Sequence, residues 1–199
     1  MDVGLISFTL PALAREFGLG PKEAGLLGSA GLLGMLFGAA FGGRLADRLG
    51  RKAAVGYSLF LAGVGSLLTA LAPSLPWVFL FRLLTGLGLG AELPVAASLM
   101  GEWSPKAHRG RMVVVLEAFW AVGWLLAALM GYLLVPAFGW RAAFLAGALP
   151  ALYAAYLRLS LPESPRWLVA RGQVGEAEAL VAEALEAPAV YLSLIHISE

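Results

Sequence analysis

Cysteine is absent from this chain of 199 residues, histidine occurs only twice, and charged residues make up 14% of the sequence. Without cysteine the chain can form no disulfide, no thiolate metal site and no thiol nucleophile. The two histidines, His108 and His196, lie far apart in sequence and suggest no metal-ligand spacing. An average soluble domain contains about 25% charged residues. This chain is therefore poor in the groups that face water.

The usual sequence signatures of enzymes and nucleic-acid-binding proteins are also missing. We find no phosphate-binding loop, no dinucleotide fingerprint and no nucleophile elbow. The formal net charge of +1 provides no general attraction to nucleic acid. We therefore predict that the protein is not an enzyme, that it uses no cofactor or metal, and that nucleic acid is not a partner.

Apolar residues, by contrast, are abundant. Hydrophobic residues make up 60% of the chain, which is more than a soluble protein of this size could bury, and this indicates a lipid bilayer as solvent. One apolar run, residues 3–14, begins almost at Met1 and is shorter than the roughly 20 residues that span a bilayer. We interpret it as a truncated first helix. Five longer segments follow, at residues 24–43, 53–72, 77–100, 112–135 and 140–161.

These segments divide the chain into three predicted parts. Residues 1–161 form a transmembrane bundle with a truncated first helix. Residues 162–190 form a cytoplasmic linker, because apolar residues and glutamates share the segment 173–187 in the pattern of an amphipathic helix. Residues 191–199 break from that pattern, and we interpret them as a sequence artefact rather than a hydrophobic tail.

Basic residues lie mostly on one side of the predicted membrane. The side richer in lysine and arginine faces the cytoplasm, so the loops after the second, fourth and sixth helices are expected there. That set comprises Arg44, Arg48, Arg51, Lys52, Lys106, Arg109, Arg111, Arg166 and Arg171, against Arg15, Lys22 and Arg141 on the outer side. Indole rings favour the membrane interface, and four tryptophans lie near predicted helix ends: Trp77, Trp103, Trp140 and Trp167.

Glycines recur at intervals of four in two of the predicted helices. Small residues at this spacing allow helix backbones to approach closely in lipid. The second helix carries Gly34, Gly38 and Gly42, and the fourth carries Gly86 and Gly90. We expect these rows to serve static packing, the alternative being a surface on which helices slide.

The segment from Gly43 to Lys52 reads G-R-L-A-D-R-L-G-R-K and joins the second predicted helix to the third. Gly43 allows close helix contact, and Gly50 permits a tight turn. Asp47 can accept hydrogen bonds from a helix N-terminus and pair with a basic group. A basic anchor with an incidental acid is the alternative. The pattern resembles the signature loop of the major facilitator superfamily and lies where that family has it.

Further motifs resemble the sugar-porter-like branch of that family, and they look closest to its bacterial niacin or aromatic-acid carriers. The resemblance covers nearly all of residues 2–187. It implies an all-α membrane fold in which this chain is an incomplete six-helix N-terminal bundle, one half of a twelve-helix transporter. The motifs are R-L-L-T-G-L-G-L-G at 82–90, G-A-E-L-P at 90–94, E-W-S-P at 102–105, R-G at 109–110, G-W at 123–124 and P-E-S-P-R at 162–166.

In that family, cytoplasmic acids and arginines form ion pairs between helix ends that hold one conformation closed. The resemblance implies such a gate here, and solvated loop charge is the alternative. An exposed pair contributes about 0 to 1 kcal/mol, whereas a partly shielded network can bias two states that differ by a few kcal/mol. The gate residues are Gly43, Asp47, Arg48, Gly50, Arg51, Glu102, Arg109, Glu163 and Arg166.

Four ionisable residues fall inside apolar segments: Asp2, Arg82, Glu92 and Glu117. A charge at mid-bilayer costs about 2.5 to 3.5 kcal/mol on insertion scales, so such residues usually face a cavity or a partner. Arg82 does not readily lose its proton and calls for an acid, for which Asp2 is the candidate. The two match the aspartate and arginine that couple proton and substrate in proton-coupled sugar porters. The alternative is that Asp2 has no such role and is only a residue near the end of the truncated first helix.

One face of the predicted fifth helix carries an acid and two indoles, because Trp120 follows Glu117 by three residues and precedes Trp124 by four. Sugar porters carry a substrate-binding glutamine at the position of Glu117, which argues against a sugar here. The face suits a flat aromatic or cationic ring, although the indoles could pack against lipid or a neighbouring helix instead. Glu92 lies about 15 Å along the helix from Arg82, too far for direct pairing, and we include it among the substrate-binding candidates.

These observations together predict a secondary active transporter that couples proton symport to uptake of a small organic or aromatic acid. A uniporter or antiporter of the same fold, or a non-transporting membrane sensor or scaffold, are the alternatives. The expected partners are the substrate, the proton, the lipid bilayer and the missing C-terminal half. The expected location is the bacterial inner membrane, as a multi-pass protein.

The charge asymmetry generates a test of topology. In the natural cysteine-free background, Ala107→Cys and Gly172→Cys should react with a membrane-impermeant thiol reagent only from the cytoplasmic side, and Gly20→Cys only from outside. Labelling of Ala107→Cys from outside would reverse the predicted orientation.

Overall fold

The computed structural model describes residues 1–104, 108–158 and 162–186. Over these ranges the chain is helical with short joints, which confirms the all-α prediction. Residues 187–190 of the predicted linker and the segment 191–199 lie outside the described residues. The helices are α1 (Asp2–Phe17), α2 (Pro21–Leu49), α3 (Arg51–Ala70), α4 (Leu75–Trp103), α5 (Arg109–Arg158), α6 (Pro165–Ala170) and α7 (Val174–Glu186).

Helices α2 to α5 have the length and apolar composition needed to cross a membrane. Helix α5 has 50 residues and, at 1.5 Å per residue, could extend about 75 Å. It is interrupted at Gly139, where φ is 79° and ψ is 171°, a conformation that favours glycine because it lacks a Cβ. The predicted fifth and sixth helices are therefore the two parts of α5, which we call the first arm (109–138) and the second arm (140–158).

The signature segment is mostly helical rather than a loop. Helix α2 continues past Gly43, its predicted end, as far as Leu49. No proline or glycine interrupts residues 44–49, so the helix ends only at Gly50, whose φ of 100° few other residues adopt. Helix α3 then begins at once with Arg51. The joint between two membrane helices is thus a single glycine.

The glycine rows of α2 and α4 face each other. A Cβ added to Gly38 would clash with the main-chain oxygen of Leu87, and one added to Gly86 would clash with the main-chain oxygen of Gly31. Small residues on both sides let the two backbones touch, which increases the van der Waals contact that holds helices together in lipid. The close packing predicted for each glycine row is present, and the structure shows that the two rows are partners, since α2 and α4 form the most extensive helix contact of the bundle.

The remaining helices pack around α3 and α5. Helix α3 contacts α4 and α5, and α1 packs mainly against α5. The core where they meet includes five fully buried apolar side chains: Leu5, Leu13, Leu27, Val78 and Phe144. On the outside, large apolar side chains are more than half exposed, among them Leu36, Phe41, Leu125 and Tyr132. A surface of this kind suits lipid rather than water.

The α2–α4 contact generates a stability prediction. Gly38→Ala should lower the free energy of unfolding by about 1 to 3 kcal/mol, because the added methyl group overpacks a backbone contact. The measurement is the thermal unfolding midpoint in detergent. Gly25→Ala is the matched control on the same helix, since nothing lies within 4 Å of a Cβ at that position. Equal losses in the two variants would show that close backbone approach is not what makes Gly38 sensitive.

Candidate functional site

A buried ion pair lies in the core of the bundle. Arg82 of α4 donates from Nη1 to Oδ2 of Asp2, the first residue of α1, over 2.8 Å. The two residues are 3% and 7% exposed. A charge buried without a partner would be very costly in lipid, so each residue here supplies what the other needs. The predicted pairing of Asp2 with Arg82 is therefore present in the structure.

Other groups complete the surroundings of the guanidinium. Its Nε donates to Oγ1 of Thr69 over 3.1 Å, and its Nη2 donates to Oγ1 of Thr85 over 2.9 Å. Each threonine hydroxyl donates its own proton to a carbonyl of its own helix, which leaves the oxygen free to accept from arginine. The ring of Phe144, on the second arm, lies 4.4 Å from the guanidinium carbon, close enough for cation–π attraction.

The carboxylate of Asp2 has a second donor. Ser66 of α3 donates from Oγ to Oδ1 over 2.6 Å. The same Oγ lies 3.2 Å from the main-chain oxygen of Phe144. Asp2 is thus held by α4 on one oxygen and by α3 on the other. The ion pair and its hydrogen bonds thus join α1 to α3 and α4, which lie more than 60 positions further along the chain.

The pair lies at the wall of a cavity of about 180 Å³ between α1, α2, α4 and the first arm. That volume is below the roughly 300 to 1,000 Å³ of pockets for drug-sized ligands. Trp124 also lines the cavity, and of the predicted substrate-binding residues it is the one found there with the ion pair. The other lining side chains include Val3, Ile6, Leu32, Met35 and Leu89.

The remaining substrate-binding candidates lie elsewhere on the bundle. Glu117 and Trp120 are on the exposed side of the first arm and do not line the cavity. Trp120 and Trp124 are exposed to nearly the same extent. Glu92 is half-buried on α4 and interacts electrostatically with the amino group of Met1. The substrate-binding roles of Glu117, Trp120 and Glu92 stay predictions, because only Trp124 lines the same cavity as the ion pair.

At the cytoplasmic end, Arg51 at the start of α3 connects two acids. Its Nη1 lies 2.8 Å from Oδ1 of Asp47, and its Nε lies 3.7 Å from Oε1 of Glu102. It also donates to the main-chain oxygen of Ala46 over 3.2 Å. Helices α2, α3 and α4 are therefore connected by one guanidinium that is largely shielded from solvent.

The N-terminus of α3 is capped by Glu163 and not by Asp47. Oε1 of Glu163 accepts from the main-chain N–H of Arg51 over 2.9 Å and from that of Lys52 over 3.1 Å. Of the two roles predicted for Asp47, the pairing with a basic group is present, with Arg51, whereas the N–H groups at the start of α3 bond to Glu163. A Cβ on Gly50 would clash with the Glu163 carboxylate. The carboxylate can reach these N–H groups because Gly50 has no side chain.

The segment around α6 secures this network from outside the bundle. The hydroxyl of Ser164 contacts Glu102, and the indole N–H of Trp167 donates to the main-chain oxygen of Asp47 over 3.1 Å. Arg171 donates to the main-chain oxygen of Arg48. Within the described ranges, two further predicted gate residues, Arg109 and Arg166, form no ion pair.

A second polar cluster lies at the opposite end of the bundle. Beyond the apolar run of α1, Glu16 pairs with Arg141 over 2.6 Å and accepts from the indole N–H of Trp140 over 2.6 Å. The hydrogen bond from Arg141 holds the pKa of Glu16 below its ordinary value. Trp140, predicted near the membrane interface, is 2% exposed and lies beside Glu16 at this end of the bundle, and its position relative to the membrane stays a prediction. Trp140 directly follows Gly139, and its ring packs edge to face against the ring of Phe144.

Comparison with known proteins identifies the family. The sequence model of the protein family described as Major Facilitator Superfamily matches residues 1–196 of this chain. The chain belongs to the major facilitator superfamily. It is therefore related to transporters rather than enzymes, and it is an integral multi-pass membrane protein.

Its relatives in this superfamily include bacterial carriers of organic molecules. The niacin transporter NiaP of Acinetobacter baylyi is 45% identical over 181 residues, which are 91% of this chain and 41% of that protein. The 4-hydroxybenzoate transporter PcaK of Pseudomonas aeruginosa is 37% identical over 177 residues, 88% of this chain and 40% of that protein. The inner membrane metabolite transport protein YgcS of Escherichia coli is 34% identical over 181 residues, 90% and 41% respectively. The chain thus spans about two fifths of these relatives.

Among solved structures, the chain is similar to the xylose transporter XylE from Escherichia coli in a partially occluded inward open conformation. The TM-score is 0.76 at 24% identity, and the match covers 92% of this chain and 51% of that one. At this identity the likeness concerns the fold. The predicted bundle, one half of a major facilitator transporter, is confirmed.

Several residues of the buried site were missed from the sequence. Ser66, Thr69 and Thr85 are hydroxyl residues within apolar spans, and such residues usually bond to their own helix. A usable signal was present for Thr85, which follows Arg82 by three residues and so shares its helix face. No comparable signal links Ser66 or Phe144 to Asp2, because α1, α3 and the second arm meet only in the folded bundle.

The cap on α3 generates a second stability prediction. Glu163→Ala should destabilise the protein by about 0.5 to 2 kcal/mol, because it leaves the first N–H groups of α3 without their acceptor. The measurement is thermal unfolding in detergent at low ionic strength. Glu178→Ala, at an exposed position on α7, removes the same charge without removing a cap and should have little effect. A similar loss in both variants would indicate a general charge effect.

Proposed function

We propose that this chain is the N-terminal half of a proton-coupled symporter for a small aromatic or organic acid. The observation that carries this proposal is the buried Asp2–Arg82 pair at the wall of a small cavity. A non-transporting scaffold would gain nothing from placing two opposite charges in its core. A transporter can use them, because one of the two can take up and release a proton.

The coupling step follows from the chemistry of the pair. Arginine keeps its charge in proteins, so Asp2 is the partner that changes protonation state. When Asp2 is ionised, it neutralises Arg82 and holds α1 against α4. When Asp2 binds a proton, the attraction is lost while both threonine hydroxyls still solvate the guanidinium. Proton binding thereby alters the relative stability of two conformations, which is the requirement for coupling.

The substrate class is inferred from the cavity and from the relatives. Trp124 offers an aromatic face in a cavity too small for a large ligand, and indole stacks on flat rings. Niacin and 4-hydroxybenzoate, named for two relatives, are both single-ring carboxylic acids. In the full transporter the second half would pack against this bundle and complete the binding site. We propose that Glu117, Trp120 and Glu92 face the substrate in that complete site.

The cytoplasmic residues are proposed to form a gate. Arg51, Asp47, Glu102 and Glu163 connect the ends of α2, α3 and α4 to the segment around α6. Breaking one link frees several helix ends at once, so the network can favour one conformation. Arg109 and Arg166 carry unneutralised charge among the described residues and are proposed to pair across the interface with the second half. The proposed site of action is the bacterial inner membrane.

Substitution of Asp2 tests the proposal. In the full-length transporter that contains this chain, Asp2→Asn should abolish accumulation of labelled niacin or 4-hydroxybenzoate against a concentration gradient. Exchange of the same compound down its gradient should survive, because the amide still fits between Arg82 and Ser66. Both are measured in proteoliposomes with an imposed pH gradient.

Three outcomes contradict the proposal in different ways. If Asp2→Asn still concentrates the compound, proton coupling does not depend on this residue, and Glu92 or Glu117 becomes the next candidate. If the parent transporter only equilibrates the compound, it is a uniporter. If neither compound crosses the membrane, the proposed substrate class is wrong.

A further inference from the structure

Ser66 occupies an unusual position between two acceptors. Its Oγ lies 2.6 Å from Oδ1 of Asp2 and 3.2 Å from the main-chain oxygen of Phe144. A serine hydroxyl carries one proton and can donate to only one acceptor at full strength. The residue is 1% exposed, so bulk water cannot supply a second donor. The two acceptors therefore compete for the same hydrogen atom.

We propose that Ser66 is a positioning residue that transmits the protonation state of Asp2 from α1 to the second arm of α5. With Asp2 ionised, the hydroxyl of Ser66 donates to the carboxylate. With Asp2 protonated, the carboxyl O–H donates to Oγ of Ser66, and the hydroxyl turns to donate to Phe144. No bond between heavy atoms forms or breaks. The proton that enters comes from water in the cavity.

The relative strengths of these bonds set the direction of the switch. A hydrogen bond to an ionised group is roughly twice as strong as one between neutral groups. The shorter distance, to Asp2, is the one expected for the ionised state. Once the carboxylate is neutral, its advantage over a carbonyl disappears. The carbonyl of Phe144 can still accept, because its oxygen has a second lone pair besides the one used within the helix.

Phe144 is well placed to respond. Its main-chain oxygen faces Ser66, and its ring lies 4.4 Å from the guanidinium carbon of Arg82. The same ring packs against Trp140 just beyond the joint at Gly139. A stronger bond from α3 to Phe144, formed as Asp2 releases Arg82, therefore acts on the second arm close to the point where α5 changes direction.

The charged groups around Asp2 are few. Arg82 faces it from α4, and the amino group of Met1 lies at its own end of α1, where Glu92 of α4 also acts. The residues that α2, α3 and α5 bring to the pair and its cavity carry no titratable group. Ser66 is therefore the main neutral group through which the site can adjust its response to pH.

This inference rests on the proposed proton coupling through Asp2, and it is tested in the full-length transporter in proteoliposomes. The measurement is uptake of labelled niacin as a function of pH. Ser66→Ala should shift the pH of half-maximal uptake upwards by about one unit, because the ionised carboxylate loses a charge-assisted hydrogen bond. Ser66→Thr keeps the hydroxyl and should restore the parent profile.

Ser58→Ala is the matched control. Ser58 is also a buried serine of α3, but it donates to Ala54 of its own helix over 2.7 Å and touches neither Asp2 nor Phe144. Its pH profile should equal that of the parent. A Ser66→Ala profile that also equals the parent would overturn the role of Ser66 while proton coupling stands. Undiminished accumulation in Asp2→Asn would overturn the coupling, and the role of Ser66 with it.

A spectroscopic readout separates this role from a merely structural one. Infrared difference spectra at low minus high pH should contain a carboxyl band that disappears in Asp2→Asn. In Ser66→Ala that band should move to higher frequency, because the protonated carboxyl no longer donates to Oγ. A band at unchanged frequency would show that Ser66 does not accept this proton, even if Ser66→Ala transports slowly for other reasons.

Discussion

Arg82 cannot lose its charge and is almost completely buried, and much of the bundle is arranged around that fact. Four helices supply groups that stabilise its positive charge: a carboxylate from α1, one hydroxyl each from α3 and α4, and an aromatic ring from α5. Removing one partner of such a buried pair is strongly destabilising, by about 3 to 5 kcal/mol. Helices that share little other polar contact are therefore held in register by one guanidinium, and the proposed coupling uses this arrangement.

The cytoplasmic network contributes to the structure in a different way from the buried ion pair. Its ion pairs are partly exposed, and such pairs contribute little individually. What they connect is backbone: Glu163 caps the first N–H groups of α3, Arg51 donates to a carbonyl of α2, and Trp167 does the same. The network thus contributes to stability mainly through the helix ends that it holds. In the proposed transport cycle, contacts of this strength can form and break, whereas the core pair would need a change of charge.

Much of this could be predicted from the sequence, because lipid imposes simple rules on apolar length, glycine spacing and buried charge. Asp2 and Arg82 were paired on the argument that neither could remain alone, and Gly38 and Gly86 were assigned to close packing by their spacing. Three features were not predictable. The cap by Glu163 spans more than a hundred positions, and Ser66 meets Asp2 only in three dimensions. The helical course of residues 44–49 was missed because charges there suggested a loop.

The joint at Gly139 has a practical consequence. The two arms of α5 meet at a single residue, so this end of the bundle offers almost no flexible peptide there. Proteases and antibodies need an extended stretch of several residues, and here they would find none. An inserted peptide tag is better tolerated at the turn formed by residues 18–20, where Gly18 and Gly20 are exposed and a Cβ at Gly18 would meet no neighbour within 4 Å.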